Sequence, residues 1–160
     1  MTVEIICSGT GETEAFATHL ARHLRAGNIV LFEGPLGAGK TFLVKSLCQA
    51  LGSADLVTSP TFAIANFYNA PDGRIIHIDA YRIKNIAEYN DLGLDDYFPT
   101  SIVLVEWGNL LADRYPEALI VRIEFTDRAE NERKLVISST SKSWTPLLDA
   151  LSDHPGVRAS

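Results

Sequence analysis

Gly34-Pro35-Leu36-Gly37-Ala38-Gly39-Lys40-Thr41 is the stretch on which the reading of this 160-residue chain turns. Its spacing, G-x-x-x-x-G-K-[ST], is that of the phosphate-binding loop of ATPases and GTPases. The residue types follow from the chemistry. A polyphosphate is held by a concave ring of backbone N–H donors, and side chains obstruct that ring. Gly34, Gly37 and Gly39 keep it open. Lys40 offers a compact positive charge to the outer phosphates and Thr41 a hydroxyl to Mg²⁺. A helix starting here aims its unpaired N–H groups and its dipole at the same anion.

The flanks supply the context this loop requires. Residues 28–33 are a short apolar run that reads as a buried strand. Beyond the loop, Leu43, Val44, Leu47, Cys48 and Leu51 recur at helical spacing, and Gly52 stands where a helix C-cap belongs. Further out, Ile102-Val103-Leu104-Val105-Glu106-Trp107 has the Walker B pattern, a buried strand that delivers a carboxylate beside the phosphate loop. Glu106 is thus a candidate for Mg²⁺, and Trp107 is either a neighbour of the nucleotide or a core tryptophan. Asp79, at the end of an extended run and followed by Tyr81-Arg82, is a second acid. Asp79 and Glu106 are the two candidates for orienting water.

The other segments read as follows. Residues 3–7 form a strand, and Phe16, Ala17, Leu20, Ala21 and Leu24 form one stripe of a helix ended by Gly27. His19 and His23 are four apart on that helix but lack a third ligand, and read as a solvated flank. Val57-Thr58-Ser59-Pro60-Thr61-Phe62 is a rigid, hydroxyl-rich bend, either a plain connection or a switch loop that senses the last phosphate. Residues 62–68 and 74–79 flank a turn signal, giving a hairpin with His77 and Asp79 on one face. A short helix at 86–91, strands at 119–125 and 133–138 and a last helix at 144–151 complete the chain. The expected fold is α/β: one phosphate-loop NTPase-like domain over residues 1–151, with a mostly parallel central sheet, flanking helices and antiparallel hairpin additions, and a disordered tail at 152–160.

Composition narrows the function. The formal net charge is −6 with no Lys/Arg cluster, so a protein that grips nucleic acid unaided is excluded and contact with RNA would run through partners. No apolar run is long enough for a membrane span, and the first residues lack a signal-peptide pattern. Cys7 and Cys48 are far apart without metal-ligand spacing, which suits free thiols in a cytoplasmic protein.

Four blocks, in order, resemble the TsaE (YjeE) family of bacterial tRNA threonylcarbamoyladenosine biosynthesis. They are the phosphate loop, Ser59-Pro60-Thr61-Phe62, His77-Ile78-Asp79-Ala80-Tyr81-Arg82, and Val105-Glu106-Trp107. The similarity runs from Thr13 to about Ser138. It implies a Mg²⁺-dependent ATPase that assists a complex of TsaB and TsaD, with TsaD performing the transfer. It also implies that Gly37, Ala38, Gly39, Lys40, Thr41 and Phe42 wrap the phosphates and that Thr41 and Glu106 hold Mg²⁺. Asp79 is then an acid needed near the site, Thr13 and Arg133 lie near the base, and Trp107 sits beside the site. Pro35, Ala80 and Gly108-Asn109 depart from the family's usual residues without removing a phosphate or metal group.

Two other readings of the residues stay open, a small-molecule kinase and a nucleotide-gated binding module. The arginines are scattered and give no lid of the kinase type. No Lys is followed two places later by Asp, so the guanine-reading motif of GTPases is absent.

Overall fold

The computed structural model describes residues 1–58 and 64–153. The Ser59-Pro60-Thr61-Phe62 bend and residues 154–160 of the expected tail lie outside the described residues. Strands β1 (Thr2–Cys7), β2 (Ile29–Glu33), β3 (Ala65–Ala70), β4 (Gly73–Asp79), β5 (Ser101–Glu106), β6 (Leu119–Phe125) and β7 (Arg133–Ser138) form one seven-stranded sheet in the order β1-β7-β6-β2-β5-β4-β3. Helices α1 (Thr10–Ala21), α2 (Lys40–Ala50), α3 (Ile86–Asp91) and α4 (Thr145–Ser152) complete a mixed α/β fold, with 3-10 turns at Leu94–Thr100, Gly108–Leu111 and Lys142–Trp144.

The sheet has the parallel centre and antiparallel additions expected from the sequence. β6, β2, β5 and β4 pair in parallel, whereas β1, β7 and β3 pair antiparallel at the two margins. The parallel strands are covered on both faces and so read as continuous apolar runs. β3 and β7 arrive through hairpins, which reverse direction within a few residues, and β1 then pairs with β7 from the far end of the chain. Both hairpins expected from the turn signals are present, β3–β4 and β6–β7.

Alternation along the central strands divides the core. Val30, Phe32, Ile75, Ile102, Leu104 and Val121 pack with α1, α2 and α4. Leu31, Ile76, Ile78, Val103 and Val105 face the other way, toward Tyr89 of α3, Phe98, Leu111 and Tyr115. β2, β5 and β4 run in parallel and end level: Phe32 pairs with Glu106, and Glu106 with Asp79. That edge, just beyond the carboxyl ends of parallel strands, is where open α/β sheets place their ligand crevice.

α2 follows from its sequence. Gly39 precedes it with φ 111°, a conformation that favours glycine. Leu43, Val44, Leu47 and Cys48 are buried against the sheet and α1. At its end the Ser53 N–H returns to the Cys48 carbonyl at 3.0 Å while Gly52 takes φ 84°, the left-handed cap that Gly52 signals in the sequence. The last helix runs through Ser152, one residue past the boundary expected for the tail. His19 and His23 are half-buried, with ring centroids 5.4 Å apart, so they are less solvated than their spacing implied.

Candidate functional site

The loop between β2 and α2 carries Gly34 at φ 143°, Gly37 at φ 76° and Gly39 at φ 111°. Gly34 is the most constrained of them. A Cβ there would lie 2.5 Å from the Ile123 carbonyl oxygen of β6, so the turn fits against the sheet only without a side chain. Arg133 of β7 braces the loop from the far side, its Nε donating to the Ala38 carbonyl at 2.9 Å.

Lys40, 5% exposed, donates its Nζ to the carbonyls of Gly34 at 2.7 Å and Pro35 at 2.8 Å. The ammonium lies 3.9 Å from the centroid of the Trp107 ring, a cation–π contact. Burial lowers the Lys40 pKa from its ordinary value, and the charges of Glu106 and Asp79 partly oppose that shift. Trp107 is held at φ 58°, the single non-glycine residue with positive φ among the described residues. Such a backbone stores about 1–3 kcal/mol of strain. Its ring also packs on Tyr81, centroid to centroid 5.0 Å.

Glu106, at the end of β5, is 3% exposed. Its Oε1 accepts from the Thr41 hydroxyl at 2.6 Å, and its Oε2 lies 2.5 Å from Nε2 of His77. The His77 Nδ1 is 3.3 Å from the Tyr68 hydroxyl. Asp79, half-buried, sits opposite Glu106 at the end of β4, and its Oδ1 accepts from the Tyr81 N–H at 3.0 Å.

The sequence-predicted residues therefore gather in two neighbouring groups. Lys40, Thr41, Asp79, Glu106 and Trp107 meet at the carboxyl edge of the sheet. Thr13, Ala38, Gly39, Phe42 and Arg133 line a cavity of about 200 Å³ between α1, the loop and β7, together with Ile123, Asn131 and Leu135. Gly37 lies exposed on the loop that joins them. Sequence reasoning missed His77 as the partner of Glu106 and Tyr68 as the partner of His77. Alternation along the strand gave only the face: His77 is two residues before Asp79, so both lie on α2's side of the sheet.

The donors suit a hard divalent cation only in part. Thr41 and Glu106 offer adjacent oxygens, which fits Mg²⁺, a cation that keeps several waters and takes one or two carboxylates plus phosphate oxygens. Among the described residues no group of three or more His, Cys, Asp or Glu could hold a metal by itself. A cation held here would take from the protein a hydroxyl and a carboxylate, its remaining positions being filled by other ligands.

A glycine loop between a buried strand and a helix, facing an acid from a parallel neighbour, defines the class as an α/β protein with its crevice at the carboxyl edge of the parallel strands. A family model described as "Threonylcarbamoyl adenosine biosynthesis protein TsaE" matches residues 7–135. Similar proteins carry the same description: "tRNA threonylcarbamoyladenosine biosynthesis protein TsaE" of Bacillus subtilis is 34% identical over 147 residues, 91% of each chain. That of Streptomyces coelicolor is 39% identical over 131 residues, 78% of this chain and 88% of the relative. The crystal structure of Bacillus subtilis YdiB superposes with a TM-score of 0.79 at 29% identity, covering 96% of both chains. The chain belongs to the TsaE family, and so to the proteins of tRNA threonylcarbamoyladenosine biosynthesis. No helix among the described residues is long and apolar enough to cross a membrane.

Proposed function

We propose that this chain is a phosphate-loop NTPase-like domain that binds ATP with Mg²⁺ and hydrolyses it. In this reading it serves a cytoplasmic complex of TsaB and TsaD that forms threonylcarbamoyladenosine in tRNA. The observation that carries the proposal is the 2.6 Å bond between Thr41, at the start of α2, and Glu106, at the end of β5. It sets a hydroxyl and a carboxylate side by side at the mouth of a glycine loop.

The roles follow from the surroundings. Backbone N–H groups of residues 37–41 receive the outer phosphates. Lys40 leaves the carbonyls of Gly34 and Pro35 to meet phosphate charge, and the Trp107 ring limits where it can go. Thr41 and Glu106 would hold Mg²⁺, which neutralises charge on the β- and γ-phosphates. Both Glu106 oxygens are engaged, by Thr41 and His77. Asp79, at the end of β4 beside Glu106, is the acid assigned in this reading to orienting the attacking water. Thr13, Phe42 and Arg133 line the cavity assigned to the nucleoside. Among the described residues neither a cationic finger nor a closed lid covers the site, and in this reading hydrolysis by the isolated chain is slow and the partners complete the site.

The test is ATP hydrolysis by the chain alone and with TsaB and TsaD from the same source. Stimulation by the pair, lost in Lys40→Ala, is the expected result. Undiminished hydrolysis in Lys40→Ala would overturn the assignment of the site. Firm ATP binding without stimulation would overturn the partnership and leave the loop reading standing.

A further inference from the structure

We infer that His77 is a positioning residue, one that locks the Glu106 carboxylate toward Thr41 and ties it, through Tyr68 and Asn66, to the backbone at Thr58. The inference rests on reading Thr41 and Glu106 as the cation end of the nucleotide site.

His77 is 0% exposed, in the interior of β4, with Leu104 as its neighbour in register. A buried imidazole needs partners for both nitrogens. Ionised Glu106 only accepts, so Nε2, 2.5 Å from its Oε2, carries the proton. In the neutral ring Nδ1 is then an acceptor, and the Tyr68 hydroxyl, 3.3 Å away, donates to it. The Thr58 carbonyl lies 3.2 Å from that hydroxyl and 3.3 Å from Nδ2 of Asn66. With Tyr68's one proton directed to His77, Asn66 supplies the donor for Thr58. One proton assignment thus satisfies Glu106, His77, Tyr68 and Thr58 together.

The mechanical consequence is specific. A glutamate side chain rotates about three bonds, and a carboxylate held at one oxygen swings about that contact. With Oε2 fixed by a charge-assisted bond, Oε1 is left facing Thr41. This is the relation seen where a second group orients a metal-binding carboxylate, and losing such a partner costs 10–100-fold in metal affinity. The amide of Asn66 extends the chain of bonds, its Nδ2 donating to the Tyr68 hydroxyl at 3.4 Å and to the Thr58 carbonyl at 3.3 Å.

The experiment measures ADP binding by calorimetry in EDTA and across a Mg²⁺ series, for the full chain and four variants. Glu106→Gln tests the underlying reading. His77→Leu removes both bonds, His77→Gln restores a donor toward Glu106, and Tyr68→Phe removes only the outer anchor. We expect His77→Leu to raise the half-saturating Mg²⁺ about tenfold or more while ADP affinity in EDTA stays within about twofold. We expect His77→Gln to recover most of the loss and Tyr68→Phe to give a smaller shift in the same direction. If His77→Leu does not fold, His77→Gln and Tyr68→Phe decide the matter: wild-type Mg²⁺ dependence in Tyr68→Phe, with Glu106→Gln shifted, overturns the inference. So does a loss in His77→Leu that is equal in EDTA and in Mg²⁺ and is not rescued by Gln. An unshifted Glu106→Gln overturns the underlying cation reading instead.

Discussion

Gly34 and Gly37 belong to the same loop, yet alanine at the two positions has unequal consequences. At Gly37, φ is 76° and an added Cβ meets nothing within 4 Å. The cost is the left-handed backbone alone, about 1–2 kcal/mol. At Gly34, φ is 143° and the Cβ falls 2.5 Å from the Ile123 carbonyl oxygen and 3.4 Å from the Ala38 Cβ. Strain of about 1–3 kcal/mol is joined by a contact that only a backbone shift relieves, a further ~1–3 kcal/mol. The total, about 2–6 kcal/mol, is a large share of the 5–15 kcal/mol typical of a folded domain. The assay is urea unfolding with the slope held as a check on two-state behaviour, supported by thermal melts, where about 2–4 °C corresponds to each kcal/mol at this size. Gly34→Ala is expected to lose at least twice what Gly37→Ala loses. Equal losses would refute the claim that the fit of the loop against β6, rather than backbone freedom alone, requires Gly34.

Other outcomes follow from particular contacts. Thr41→Val removes the hydroxyl that Glu106 accepts from; the half-saturating Mg²⁺ for nucleotide binding should rise about tenfold or more, measured by calorimetry with binding in EDTA as the control. In the second core the Tyr115 hydroxyl donates to Asp95 and lies 3.0 Å from that of Tyr89. Tyr115→Phe orphans the Tyr89 hydroxyl and should cost about 1–3 kcal/mol in urea unfolding, and Tyr89→Phe, which leaves Tyr115 on Asp95, less. Burial raises the Cys48 thiol from its ordinary value of 9.0 to about 12. Above pH 9 the unfolded chain sheds this proton while the folded chain keeps it, so stability present below pH 9 is lost as pH rises toward 12. The slope from this thiol approaches 1.4 kcal/mol per pH unit, and unfolding curves between pH 9 and 11 should be correspondingly flatter in Cys48→Ala.

Much of the fold was legible because its signals are local. The run at 28–33, the glycine spacing and the stripe Leu43-Val44-Leu47-Cys48 specify strand, loop and helix from neighbours in sequence, and β2 and α2 fall where they indicate. The short apolar run ending in Glu106 gave β5 for the same reason. Sheet order was not legible. β7 inserts between β1 and β6, a pairing of segments more than a hundred residues apart that depends on tertiary packing. At the site, residue types and spacing pointed to Lys40, Thr41, Asp79 and Glu106, because the chemistry of phosphate and cation restricts the choice. His77 escaped because a lone histidine in an apolar strand has no spacing that names its partner. Glu106 lies 29 residues away in sequence, and only the parallel pairing of β4 with β5 brings the two together.

The central claim is that the loop, Thr41 and Glu106 make one site for a Mg²⁺-bound nucleotide. It is tested most directly by titrating a non-hydrolysable ATP analogue into the purified chain, with saturating Mg²⁺ and with EDTA, beside Lys40→Ala. Binding that Mg²⁺ strengthens, and that Lys40→Ala abolishes, is the result expected. No binding in saturating Mg²⁺, or binding indifferent to Lys40, would contradict the account.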